Sequence, residues 1–370
     1  WLDRDDENKT FAVAFKTVPS NDTGVAHIME HSVLCGSRKY PVKEPFVDLL
    51  KSSLATFLNA MTYPDKTVYP VATRNNTDFL NLIDVYMDAV LYPNIHTNEK
   101  IFRQEGWHYE LENVDGEITY NGVVYNEMKG AFSSPEDVLD REIMAALFPD
   151  TPYGNESGGH PDVIPNLTWE QFLAFHKKYY HPSNSYIYLY GDMDMAEKLE
   201  WIDENYLSKF ERIEIDSSLK LQDKFVKPVE IHKEYPIMEG ESTENNTYLS
   251  YNTVVGTSLD KELYFAMQIV EYALCLTSAA PVKLALIHKN IGTEVYSVYE
   301  NGIYQPYFSI VAKNANDAQA QEFVETIEEE LRKVVKEGID KKALLAGLNT
   351  YEFKYREADF GSYPKGLMYG

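Results

Sequence analysis

The chain has 370 residues, 44% of them apolar, and a formal net charge of −24. That length is too great for one compact core and fits two domains, with enough apolar residues to fill them. So strong an acidic excess argues against a nucleic-acid partner and favours cationic ligands such as basic peptides.

The two cysteines, Cys35 and Cys275, are far apart. They suggest no disulfide framework and point to a reducing compartment. No apolar run approaches the length needed to span a membrane, so no membrane partner is expected. The chain opens on WLDRDDENKT, without Met or targeting region, and reads as a fragment. The expected location is the bacterial cytoplasm, with a mitochondrial or plastid matrix as the alternative.

Along the chain, TFAVAFKT (10 to 17) alternates and reads as a strand. A helix follows, capped near Asp22 or Thr23 and stopped at Gly36. EPFVDLLKSSLATFL (44 to 58) reads as one amphipathic helix, KTVYPVAT (66 to 73) as a strand, and TDFLNLIDVYMDAVL (77 to 91) as a helix. A short helix over 97–106 leads to strands within 107–120 and a helix over 122–132. TWEQFLAFHKKYY and NSYIYLYGD then give a helix and a strand, before a helix over 194–205.

ERIEIDSSLKLQDKFVKPVE (211 to 230) has mixed charge, little helical period and a proline. We therefore read 1–215 as one domain, 216–230 as a linker and 231–370 as a second domain. The second half begins with a strand at 246–254, helices at 259–275 and 280–290, and strands at EVYSVYE and YQPYFSIVAK. Two long helices over 316–337 and 340–357 follow. The order strand, two helices, strand, long helix thus occurs twice. The expected fold is α+β, with two similar domains, each a mainly antiparallel sheet packed with helices.

HIMEH places His27 and His31 one helical turn apart, about 40° around the axis. Two imidazoles so placed can hold one metal ion. Glu30 is offset by about 60° from His27 on the other side, better placed to take a proton from water than to be the main ligand. A third protein ligand is needed. Glu127, in GVVYNEMKGAF, reads equally as a buried ligand in an apolar segment or as an exposed helix carboxylate. Cys35 is four residues beyond His31, but Gly36 ends the helix there and turns it away. It reads as a small buried residue.

HIMEHSVLCGSRKYPVKEPFVDLLKSSLATFLNAMTYPDKTVYPVATRN, GVVYNEMKGAFSSPE, YGNESGGHP, QPYFSIVAKNAND and YREADFGSYPKGLMYG resemble the presequence protease subfamily of the inverted-motif, insulinase-type (M16) zinc metallopeptidases. The resemblance implies the insulinase/LuxS-like metallohydrolase fold. It also implies one zinc per chain on His27, His31 and Glu127, with Glu30 as general base in peptide-bond hydrolysis. Asn59, Ala60, Met61 and Thr62 match the segment that would pair with substrate backbone as an added strand; by pattern alone, Asn59-Ala60 reads as a helix end. Glu105 would orient a ligand from behind or is an ordinary helix carboxylate. The SGGH loop, 157–160, is expected to be a surface turn, with an anion held on its amides as the alternative. His96, His108, His176, His181, His232 and His288 read as surface or packing residues.

Full-length members of that family consist of two such halves. An Arg and a Tyr of the far half assist the oxyanion, and no segment here matches them. The implied function is a zinc endopeptidase for unstructured peptides such as presequences. The alternatives are a half-enzyme that binds zinc and peptide but needs its C-terminal half, or a non-catalytic scaffold or processing subunit. The 259–275 helix takes the place of the HxxEH helix yet has no histidine, so the second domain is expected to be a non-catalytic repeat.

Overall fold

The computed structural model describes residues 4–43, 45–358 and 360–369. The chain divides into two compact units. One comprises Trp1–Asp137, Thr151–Leu219 and Phe360–Gly370, and the other Val138–Asp150 and Lys220–Asp359.

The first unit begins with β1 (Lys9–Phe15), α1 (Val25–Val33), α2 (Pro45–Ser52), β2 (Ala55–Leu58), β3 (Met61–Thr62), β4 (Thr67–Thr73) and α3 (Asn76–Leu91). After α4 (Glu99–Glu105) come a small hairpin, β5 (His108–Glu110) with β6 (Thr119–Asn121), and α5 (Val123–Ala131). α6 (Pro135–Leu147) is absent from the sequence reading, and only its first residues belong to this unit. α7 (Trp169–Tyr179), β7 (Ser185–Tyr190) and α8 (Met195–Asn205) complete the run. The main sheet is antiparallel in the order β2-β4-β1-β7, with β3 also on β4.

Phe11, Val13 and Phe15 alternate along β1 onto the core. There they meet Phe79, Leu82, Ile83, Tyr86 and Val90, a fully buried stripe at helical spacing on α3. Each such side chain contributes about 1.5–3 kcal/mol by leaving water. Asn75 caps α3, its side chain accepting from the Asp78 amide.

The reading of 44–58 as one helix is corrected. Glu44 lies outside the described residues, and the helix ends at Ser52, whose hydroxyl donates to the Asp48 carbonyl. The chain then turns into β2, where Phe57 pairs with Ala72 and Leu58 with Val71. Thr56 and Phe57 favour a pleated strand, and the waiting edge of β4 overrides the helical period. Asn59-Ala60 is therefore not a helix end but the break between two strands on one sheet edge.

The second unit contains β8 (Thr247–Val254), α9 (Lys261–Glu271), a π-helical turn (Tyr272–Leu276), α10 (Pro281–His288), β9 (Glu294–Glu300) and β10 (Tyr307–Ala315). α11 (Ala320–Glu337) and α12 (Lys341–Glu357) follow. Its antiparallel sheet has the order β8-β10-β9. In the first unit the first long strand, β1, lies between β4 and β7, whereas in the second the third, β10, lies between β8 and β9, so the repeated element order does not carry a repeated strand order.

The continuous domains expected from sequence are corrected to discontinuous ones. Residues 138–150 group with the second unit, and α13 (Lys365–Tyr369) packs on β1 and β7 of the first. A Cβ on Gly366 would stand 2.5 Å from both Thr10 Oγ1 and Tyr190 Cδ1, so only glycine allows this approach. No helix or strand occurs from Phe210 to Asn246, around the expected linker.

The expectation about apolar runs also needs correction. Lys261–His288 contains an 18-residue window of mean hydropathy 1.4, enough by length and composition to span a membrane. Residues 277–280 interrupt it, and α9 and α10 both contact β9.

His176 is a buried packing residue. Its Nε2–H donates to the Val90 carbonyl at 2.9 Å, so Nδ1 is left to accept from His96 Nε2 at 3.1 Å. Burial lowers its pKa from 6.5 to about 3. Between those values the unfolded chain binds a proton that the folded chain refuses, so stability falls as pH drops below about 6.5. At pH 5 the loss amounts to about 2 kcal/mol. Urea unfolding at pH 7 and pH 5 measures it, and His176→Gln should remove this part of the pH dependence; an unchanged dependence would refute the assignment.

Candidate metal centre

α1 carries the HxxEH residues and packs against α4, α5, α7 and β3. Gly24 starts it in the left-handed region, at φ 67°. The expected cap at Asp22 or Thr23 is not formed, since no side chain caps this end. Val25, Ile28, Met29 and Val33 face the core, which leaves His27 and His31 on the opposite stripe.

The histidines converge with Glu127 of α5. Glu127 Oε2 lies 3.8 Å from His27 Nε2 and 3.8 Å from His31 Nε2. One ligand atom from each of the three residues falls within 4.8 Å of the others. Each imidazole is also held from behind. His27 Nδ1 is 3.1 Å from the Gly158 carbonyl, which can only accept, so the proton sits on Nδ1 and Nε2 faces the cluster with its lone pair. His31 Nδ1 faces Glu105 Oε2 at 3.5 Å. Glu105 thus lies behind His31, in the place of a carboxylate that orients an imidazole. The Gln104 amide donates to its other oxygen.

Burial pushes the His31 pKa down, but the Glu105 hydrogen bond and the charges of Glu30, Glu105 and Glu127 outweigh it and leave it raised. Burial pushes Glu105 up, and its bonds to His31, Cys35 and Gln104 bring it below the ordinary carboxylate range. Cys35 donates to the His31 carbonyl at 3.5 Å and lies behind the cluster, away from the ligand atoms.

The burial argument offered for Glu127 is corrected. Its side chain is 54% exposed, against 12% for His27 and 25% for His31. The cluster therefore has an open side, where a cation could keep a free coordination position. Glu30 sits on α1 between the two histidines and is 8% exposed, and its side chain makes no hydrogen bond with another described residue. After burial, its charge adds to the upward pKa shifts of Tyr69, Tyr86 and Tyr180.

Asn59, Ala60, Met61 and Thr62 lie beside this helix, on the sheet edge. The Asn59 amide donates to the Pro70 carbonyl, and its own carbonyl accepts from the Tyr86 hydroxyl at 3.2 Å. Met61 and Thr62 pair inward with Val68 and Thr67. Among the described residues, no strand pairs with the outer side of β2 or β3.

Sequence reasoning missed the contact of the Gly158 carbonyl with His27. The SGGH loop is not a plain surface turn: it carries the carbonyl that holds His27. The adjacent glycines, Gly158 and Gly159, were the available signal of a close backbone approach.

Residues 18–159 match the model of the insulinase peptidase family M16, and residues 166–351 that of the peptidase M16 inactive domain. The chain belongs to the M16 peptidase family. All the site residues named above lie within the first match. This M16 chain is 54% identical over 365 residues to protein HypA of Clostridium perfringens, covering 99% of the chain and 38% of that protein. It is 45% identical over 370 residues to presequence protease 1, chloroplastic/mitochondrial, of Arabidopsis thaliana, covering 99% of the chain and 34% of that protein. It thus spans between a third and two fifths of the length of these relatives. A solved protease from Helicobacter pylori shares the fold, with TM-score 0.69 at 18% identity, over 96% of this chain and 81% of that one.

Proposed function

We propose that this chain carries the catalytic centre of a zinc endopeptidase for unstructured peptides. The observation that carries the reading is the convergence of His27 Nε2, His31 Nε2 and a Glu127 oxygen within 4.8 Å, with the far nitrogen of each imidazole already engaged. Two neutral imidazoles, one carboxylate and an open side suit zinc in a hydrolytic role. Bound there, zinc supplies Lewis acidity that lowers the pKa of water toward neutrality.

The chain's own residues do the rest. The outer side of β2 and β3 receives the peptide as an added strand, with the 59–62 segment holding its backbone. Glu30 takes the proton of the attacking water and delivers it to the departing amine. Glu105 and the Gly158 carbonyl keep the imidazoles in register. The second unit, whose α9 has no histidine where α1 carries two, serves as a non-catalytic repeat.

Donors for the oxyanion come from the remaining length of the protein, the C-terminal half, so the chain alone binds zinc and peptide but turns over slowly. The four residues of the HxxEH-plus-Glu set argue against a scaffold without catalysis. The bacterial relative and two cysteines that form no disulfide favour the bacterial cytoplasm; the name of the plant relative keeps an organelle matrix as the alternative. Metal analysis after purification without chelators should find about one zinc per chain, as a single three-ligand centre requires. A metal-free product that also fails to take up added zinc would overturn the reading.

A further inference from the structure

The loop 155–160 is fastened to the residues that lead into α1 by a short relay. Asp22 Oδ1 accepts from the Glu156 amide at 2.7 Å, and the Asp22 carbonyl accepts from the His160 amide at 2.8 Å. Glu156 Oε1 accepts from the Gly158 amide at 2.9 Å. The peptide of Gly158 is thereby held at its nitrogen while its carbonyl accepts from His27 Nδ1 at 3.1 Å.

The fit leaves no slack. A Cβ on Gly24 would lie 2.6 Å from the Gly158 oxygen and 2.8 Å from the Gly159 Cα. On the other side, a Cβ on Gly158 would meet Met128 Cε at 2.8 Å, and Phe132 stacks edge-on against His160 with ring centroids 4.5 Å apart. Met128 and Phe132 belong to the helix of Glu127 and its C-terminal cap. One loop thus touches both helices that supply the cluster.

We infer that Asp22 is a positioning residue of the metal centre: it fixes the 156–160 loop so that the Gly158 carbonyl holds His27 with Nε2 toward Glu127 and His31. The inference rests on the zinc reading proposed above. Asp22 touches neither ligand atoms nor substrate; it acts through two backbone amides and one carbonyl. A carboxylate or a side-chain amide oxygen can accept from the Glu156 amide, whereas a methyl group cannot.

The test compares Asp22→Ala, Asp22→Asn and Asn155→Ala in the whole chain. Asn155 bonds the Pro19 carbonyl at 3.3 Å; it fastens the same loop without reaching Gly158. Zinc affinity is measured by competition with a chromophoric chelator. The visible spectrum of the cobalt(II)-substituted protein reports ligand geometry, and thermal unfolding of the metal-free protein reports the fold. Asp22→Ala should weaken zinc binding by about 10–100-fold, as loss of an outer orienting contact does, and should shift the cobalt spectrum. Asp22→Asn should restore most of both, and Asn155→Ala should change neither. Wild-type affinity and spectrum in Asp22→Ala would overturn the inference, as would equal losses in Asp22→Ala and Asn155→Ala. A wild-type chain that binds no zinc would instead overturn the metal reading itself.

Discussion

Glu30→Gln should retain about one zinc per chain and lower hydrolysis of a basic, unstructured peptide by ~10²–10⁴-fold, the usual contribution of a positioned general base. The substitution keeps the size of the side chain and an acceptor oxygen but removes the ability to take a proton. The Glu30 side chain makes no hydrogen bond with another described residue, so the substitution breaks none. The atoms that could hold a metal ion are those of His27, His31 and Glu127, so on the proposed reading metal content should survive. Rates are compared at matched zinc content, and a wild-type rate in the variant would remove Glu30 from the role of base.

Glu127→Ala should have the opposite profile. Zinc affinity should fall by more than ~100-fold, beyond what an orienting contact contributes, because two imidazoles alone are left to hold the ion. Thermal stability of the metal-free chain should hardly move, within about 0.5 kcal/mol, because the side chain is 54% exposed and an exposed helix position tolerates truncation. Metal loss without unfolding would separate a ligand from a structural carboxylate, the two readings that the sequence pattern left equal. Zinc retained within a few-fold would make Glu127 an ordinary surface residue.

Much of the fold is visible in the pattern because long amphipathic elements carry their own period. The stripe Phe79, Leu82, Ile83, Tyr86 and Val90 announces α3 directly. α6 was missed because PEDVLDREIMAAL buries only Ile143, and a helix that buries little shows little period. The 44–58 segment failed for a different reason: two apolar runs separated by Ser52-Ser53 fit one helical period, while the pairing that makes the second a strand is with β4, a non-local partner.

At the site, spacing alone placed His27, Glu30 and His31. Glu127 came from resemblance, and the burial argument made for it points the wrong way. Asp22 and Gly158 were out of reach because the contacts that matter join positions separated by more than a hundred residues. Local pattern does not encode such a separation; only the tertiary fold, which packs α1 against α5 and the 155–160 loop, brings the two segments together.

A polypeptide can add to the outer side of β2 and β3 only by presenting amide and carbonyl groups that have no internal partners. Folded proteins have theirs committed to helices and sheets. An edge of this kind therefore sorts polypeptides by conformational state more than by the identity of their side chains. A released fragment qualifies whatever its origin, and a native domain does not. A damaged domain becomes eligible only for the fraction of time it spends locally open.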